Sequence, residues 1–167
     1  MDNIILIGMP GSGKSSVGVV LAKALGMDFL DVDLLIQARE GALLQNILDS
    51  RGVEAFLDVE GQVIRSVSCA NTVIAPGGSC VCRDDAMEHL GELGTVVYLR
   101  LSLPEVIQRI CDLDSRGIAL QPGQTLADVY EYRVPRYERW ADITVDADGQ
   151  TLLQTIEAVK RALSGHK

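Results

Sequence analysis

Gly8-Met-Pro-Gly-Ser-Gly-Lys14-Ser15 fits the phosphate-binding pattern G-x-x-x-x-G-K-[ST] at every fixed position. Its flanks agree with that reading. Asn3-Ile-Ile-Leu-Ile7 before it is a short apolar run of the kind that forms a buried strand. After it, Val17, Val20, Leu21 and Leu25 recur at helical spacing and predict a helix over Ser16–Leu25. A strand, a glycine-rich turn and a helix N-terminus together form an anion cradle. The loop N–H groups point inward and the helix dipole adds positive potential. In that pattern Lys14 reaches the β/γ-phosphates of a nucleotide and the Ser15 hydroxyl ligates Mg²⁺. The agreement of the fixed positions with both flanks disfavours the bland alternative, a glycine turn that binds nothing.

Outward from this stretch, apolar runs alternate with helical segments. The runs are Ile4–Ile7, Phe29–Val32, Thr72–Ala75, Thr95–Leu101 and Ile143–Val145. Helices are predicted over Ser16–Leu25, Leu34–Arg39, Leu43–Asp49, Val53–Ala70, Asp84–Leu90, Leu103–Asp112, Leu126–Trp140 and Thr151–Leu163. Strand–helix alternation implies a three-layer α/β/α fold with a parallel five-stranded sheet, and in such sheets ligands bind outside the carboxyl ends of the strands. Residues 112–124 hold Gly117, Pro122 and Gly123 without an apolar period, and read as a mobile lid.

The chain has 167 residues, the size of a single domain, and no internal repeat or linker is evident. A net charge of −8 argues against a nucleic-acid-binding surface, which needs clustered Lys and Arg. It leaves room for a nucleotide, because one loop suffices to bind one. Asp2 and the short apolar run before Gly8 fit neither a signal peptide nor a membrane span. The cysteines at 69, 80, 82 and 111 form no C-x-x-C pair, and His89 and His166 lie far from them in sequence. Free thiols in a reducing cytoplasm fit better than a zinc site.

A second chemical feature is Asp31-Val32-Asp33 at the end of the second apolar run. Residues i and i+2 of a strand face the same way, so both carboxylates are expected to project toward the phosphate loop. Two carboxylates there can divide the work of phosphoryl transfer, one holding Mg²⁺ and one taking the proton of an acceptor hydroxyl. The competing reading is a solvated strand end that caps the next helix. A third feature is Arg109, Arg116 and Arg133. Arginine suits a bidentate grip on phosphates and carboxylates, although each taken singly is more often a solvated charge.

In this order the features resemble the shikimate kinase family of P-loop small-molecule kinases. The resemblance runs over nearly the whole chain. It is carried by Gly8 to Gly18, Leu25 to Asp33, Gly52-Val-Glu-Ala-Phe56 with Glu60, Val73 to Ser79, Val96-Val-Tyr-Leu99, Arg116, and Arg133-Val-Pro-Arg-Tyr137-Glu138 with Ala141-Asp142. It implies a P-loop kinase domain over residues 1–167, a cytoplasmic monomer using ATP and Mg²⁺ on a small-molecule acceptor, with shikimate the expected acceptor. It further implies ATP on Gly11, Ser12, Gly13, Lys14, Ser15 and Ser16 with Arg109 near the adenine. Mg²⁺ would be held by Ser15 and Asp31, directly or through water. Asp33 would be the base, and Arg116 would come down with the lid beside Lys14. Arg133 would pair with the acceptor carboxylate, and Gly77, Gly78 and Ser79 would pack against the acceptor ring.

Three departures fall in the acceptor half. The family has Arg where this chain has Leu57, a third Gly where it has Ser79, and Arg-Pro-Leu-Leu where it has Arg116-Gly-Ile-Ala119. Losing a charge-assisted bond to a charged group costs on the order of 2–5 kcal/mol. Two alternatives therefore stay open beside shikimate. One is a kinase for a different small hydroxylated acceptor, and the other is a nucleotide-binding regulatory protein without efficient transfer.

Overall fold

Five residues in a row, Asn3–Ile7, four of them apolar, form β1, and all are buried. A strand this uniformly buried needs cover on both faces and neighbours on both edges. The computed structural model, which describes residues 2–111 and 118–166, supplies all of these. β1 pairs in parallel with β3 (Thr72–Ala75) through Ile4↔Val73, and with β4 (Gly94–Arg100) from Asn3↔Gly94 to Ile7↔Tyr98. With β2 (Asp28–Asp31) and β5 (Ile143–Asp146) at the edges, the order is β2-β3-β1-β4-β5 and every pairing is parallel.

Alternate residues of β1 go to opposite layers. Ile4 and Leu6 pack with Val17 and Leu21 of α1 (Lys14–Leu25) and with Ile156 and Val159 of α7 (Leu152–Gly165). Ile5 and Ile7 pack on the other face with Ile36 of α2 (Val32–Glu40), Phe56 and Ile64 of α3 (Leu44–Ser66) and Met87 of α4 (Asp84–Leu93). α5 (Leu103–Cys111) and α6 (Leu126–Trp140) complete that layer. Capping boxes start α6 and α7, at Thr125 with Asp128 and at Thr151 with Gln154.

The order of strands decides where a ligand can bind. From β1 the chain crosses to β2 on one side of the sheet, while β4 lies on the other. Such a reversal leaves a crevice at the carboxyl end of the central strand. The phosphate loop leaves β1 there.

Several element bounds differ from the sequence expectation. α1 begins at Lys14, two residues early, because the loop runs straight into the helix. The helices expected at Leu43–Asp49 and Val53–Ala70 form one run, Leu44–Ser66, kinked at Gly52 with φ 81. That run stops at Ser66 because Val67 is extended. A short 3₁₀ turn, Cys80–Cys82, follows β3 and had no periodic signal in the sequence. Of the expected lid, residues 112–117 lie outside the described residues. Among the described residues, no helix is long and apolar enough to cross a membrane.

Candidate functional site

The phosphate loop is shaped by its glycines and held by its own lysine. Gly13 sits at φ 88, a left-handed conformation that lets α1 begin at the next residue. Lys14 Nζ donates to Gly8 O at 2.9 Å and to Met9 O at 3.0 Å, and approaches Ser12 Oγ at 3.5 Å. Burial pulls this amine below its usual range, and nearby Asp33 pulls it back up. The ammonium is therefore positioned over the loop, hydrogen-bonded to neutral oxygens, which suits it to a phosphate.

Ser15 Oγ donates to Asp31 Oδ2 at 2.8 Å, so the expected metal-binding pair is already together. Asp33 arrives by a different route from the one the sequence suggested. The strand ends at Asp31, whose Oδ1 accepts the Asp33 N–H at 3.0 Å and caps α2. Asp33 therefore projects from the first helical turn and not from an i, i+2 strand pair. An aspartate that can satisfy an orphan helix amide ends the strand at that point. Asp31 is a helix cap, as the competing reading had it, and both carboxylates line the crevice cavity. That cavity measures ≈ 560 Å³, and Lys14, Ser15, Gly77 and Arg133 also line it.

The other end of the cavity is built from the turn after β3, α3 and α6. At Gly77 the backbone lies so close to two carboxylates that a Cβ there would sit 2.3 Å from Glu60 Oε1 and 3.0 Å from Asp33 Oδ1. Gly78 O accepts the Tyr137 hydroxyl, which ties this turn to α6. Arg133, only 3% exposed, donates to Ala119 O at 3.2 Å. A carboxylate arriving there would meet a guanidinium already held in place.

Glu60 was not assigned a role from sequence. It is buried, its Oε2 accepts the Ser79 hydroxyl at 2.6 Å, and its Oε1 has no hydrogen-bond partner among the described residues. Burial pushes its carboxyl up to about 7, with nearby Asp33 adding to the rise and the Ser79 bond opposing it. The available signal was a lone acid at helical spacing among Phe56, Val63 and Ile64, on a face that is otherwise apolar.

Leu57 is 6% exposed and lines an adjoining cavity of ≈ 260 Å³ with Cys82, Arg83, Val129, Tyr132 and Arg133. Arg109 lies beside the phosphate loop, its Cβ 3.4 Å from the position of a Cβ on Gly11. It is held by Glu105 at 2.9 Å and Ala147 O at 3.2 Å. Ser16 lines the large cavity, and Arg116 lies outside the described residues.

The donor set fits a nucleotide with magnesium. Hard oxygen ligands from Ser15 and Asp31 stand next to an amine and a helix N-terminus, and Mg²⁺ is usually held by one or two protein oxygens with phosphates and water completing its shell. Among the described residues, no group of three or more His, Cys, Asp or Glu side chains is arranged to hold a metal by itself.

Comparison with known proteins agrees with this geometry. A family model described as "Shikimate kinase" matches residues 10–164. A shikimate kinase of Thermodesulfovibrio yellowstonii is 35% identical over 95% of this chain and 93% of its own length. One from Chromohalobacter salexigens is 38% identical over 89% and 84%. A solved shikimate kinase from Acinetobacter baumannii, in complex with shikimate, superposes with a TM-score of 0.88 at 29% identity, covering 100% of this chain and 95% of its own. With its phosphate loop, its strand order and these relatives taken together, the chain belongs to the shikimate kinase family.

Proposed function

We propose that this chain transfers the terminal phosphoryl group of ATP to a hydroxyl of shikimate. The observation that carries this reading is one cavity lined by Lys14, Ser15, Asp31, Asp33, Gly77 and Arg133. That cavity joins a phosphate cradle, a carboxylate base and a cation for an acid-bearing acceptor within reach of one another.

The residues divide the work as follows. Gly11 to Ser16 supply loop amides for the phosphates, and Lys14 exchanges its carbonyl partners for phosphate oxygens. Arg109 flanks the adenine. Ser15 and Asp31 hold Mg²⁺, which when bound neutralises charge on the phosphates. Arg133 orients the acceptor through its carboxylate, and Gly77 and Gly78 let its ring approach the backbone while Ser79 borders it. Asp33 accepts the proton of the hydroxyl as its oxygen bonds to phosphorus and the bond to ADP breaks.

The buried Leu57 beside Arg133 favours a second reading, in which the acceptor is a small hydroxylated molecule that is apolar where shikimate is charged. A coupled ADP-release assay with shikimate and a panel of sugar acids and polyols separates the two. Shikimate is expected to give the highest kcat/KM. No ADP release with shikimate above the water background, alongside turnover of another acceptor, would overturn the first reading.

A further inference from the structure

Tyr137 lies four residues after Arg133 on α6, so the two share a helix face, and both are buried. The Tyr137 ring is fixed from the sheet side. It stacks on Tyr98 with centroids 5.1 Å apart and planes at 23°. Tyr98 in turn pairs with Ile7, the residue at which β1 ends and the phosphate loop begins. On its other side the Tyr137 hydroxyl donates to Gly78 O. Burial pushes this phenol well above its usual range, with the facing Arg133 guanidinium opposing the rise, so it stays a neutral donor. Gly78 rests on the phosphate loop. A Cβ there would sit 2.9 Å from Pro10 Cδ and 3.2 Å from Pro10 Cγ, so the bare backbone lies against that ring. Ile7, Tyr98, Tyr137, Gly78 and Pro10 thus close a circuit around the root of the loop. A phenylalanine at position 137 would fill the same space. What the hydroxyl adds is the bond to Gly78 O.

We propose that Tyr137 is a positioning residue for the phosphate loop: through Gly78 its hydroxyl fixes Pro10 relative to Arg133. The proposal rests on the reading of the large cavity as a joint nucleotide and acceptor site, and Pro10, Gly78 and Arg133 all line that cavity. Removing the hydroxyl takes a donor from the Gly78 carbonyl and lets the turn drift from Pro10. The loop then loses a wall on the side where phosphates enter, and nucleotide affinity falls although no phosphate ligand has changed. The link also runs in the other direction. An acceptor that engages Arg133 acts on the cation facing the same hydroxyl, so acceptor and nucleotide strengthen each other's binding by an equal factor.

A cycle of four proteins tests this: the parent, Tyr137→Phe, Pro10→Ala and the double variant. The first readout needs no acceptor. It is a calorimetric titration with Mg²⁺ and the β,γ-imido analogue of ATP. Tyr137→Phe is expected to weaken binding of the analogue about fivefold in the parent, the size of one lost hydrogen bond. In the Pro10→Ala background the same change is expected to leave Kd nearly unmoved. Its effect on thermal stability is expected to be equal in both backgrounds, which separates positioning from a merely structural role. An equal change of Kd in both backgrounds, or none in the parent, overturns the proposal. If Tyr137→Phe does not fold, Gly78→Ala takes its place, since its methyl group presses on Pro10. Gly78→Ala is then expected to weaken the analogue and Pro10→Ala to restore it, and no recovery overturns the proposal. The second readout adds saturating shikimate to the same titration. Shikimate is expected to tighten the analogue in the parent and to do so less in Tyr137→Phe, while equal tightening in both overturns the link to Arg133. Another hydroxylated acceptor that tightens the analogue where shikimate does not overturns the choice of acceptor and leaves the cycle standing. A parent that binds no analogue overturns the functional reading itself.

Discussion

Ser15 Oγ donates to Asp31 Oδ2 at 2.8 Å, and through this bond the first turn of α1 is joined to the end of β2. A hydroxyl and a carboxylate so placed can receive a divalent cation with little rearrangement. Asp31→Asn is expected to raise the Mg²⁺ concentration for half-maximal rate by roughly tenfold or more, the usual size of a lost ligand or orienting partner. A magnesium titration of initial rate checks it, and an unchanged midpoint would exclude Asp31 from the metal site.

Lys14 is expected to be indispensable. Its ammonium bonds Gly8 O and Met9 O, and on the proposed function it stabilises the migrating phosphoryl group. Lys14→Ala should lower kcat by roughly 10³-fold, as loss of a preorganised donor does. Turnover within tenfold of the parent would sink the assignment.

Asp33→Asn keeps the shape of the side chain and removes the proposed base. The expected result is a kcat lower by about 10²–10⁴-fold with ATP affinity nearly unchanged. If ATP affinity collapsed and the rate held, Asp33 would belong to the metal site.

Gly77→Ala places a methyl group 2.3 Å from Glu60 Oε1 and 3.0 Å from Asp33 Oδ1. Both carboxyl groups must shift, and acceptor and base lose their alignment. KM for the acceptor should rise and kcat should fall, while KM for ATP stays within about twofold, since the phosphate loop is untouched. An equal rise in both KM values would mean that the turn serves the nucleotide too.

Glu60 gives a pH signature. Its carboxyl lies at about 7 in the folded chain against an ordinary 4.5. The folded state therefore holds a proton that the unfolded state has lost between those values. Its contribution to stability is complete below pH 4.5 and disappears as pH rises through 7, by about 3 kcal/mol at ~1.4 kcal/mol per pKa unit. Urea midpoints measured from pH 4.5 to 8 should fall less steeply for Glu60→Gln than for the parent. Parallel curves would place the Glu60 proton elsewhere.

The phosphate loop was legible in the sequence because strand, loop and helix are contiguous and each fixed residue does one job. The parallel sheet was legible because apolar runs alternate with helical segments along the chain. Asp33 was found for a partly mistaken reason. Strand periodicity placed it correctly at the crevice, but Asp31 had already ended the strand by capping α2. Glu60 stayed hidden because its significance lies in Ser79 and Gly77, turn residues 17–19 positions further along the chain, and no local pattern reports that contact. The break at Gly52 was visible only as two helices, not as a kink within one run.

Register has a consequence for how the molecule is made. Asn3 pairs with Gly94, and its side-chain amide bonds Cys69 O at 2.9 Å and Leu93 O at 3.0 Å while its Oδ1 accepts the Thr72 N–H at 3.0 Å. Within the sheet, the strand that launches the phosphate loop is thus fastened by residues synthesised much later. On the ribosome the loop emerges ahead of β3 and β4, so β1 keeps two open edges until they have followed it out. A nascent chain stalled before residue 94 should therefore expose an apolar strand to chaperones and hold no nucleotide, although it already carries every residue of the P-loop.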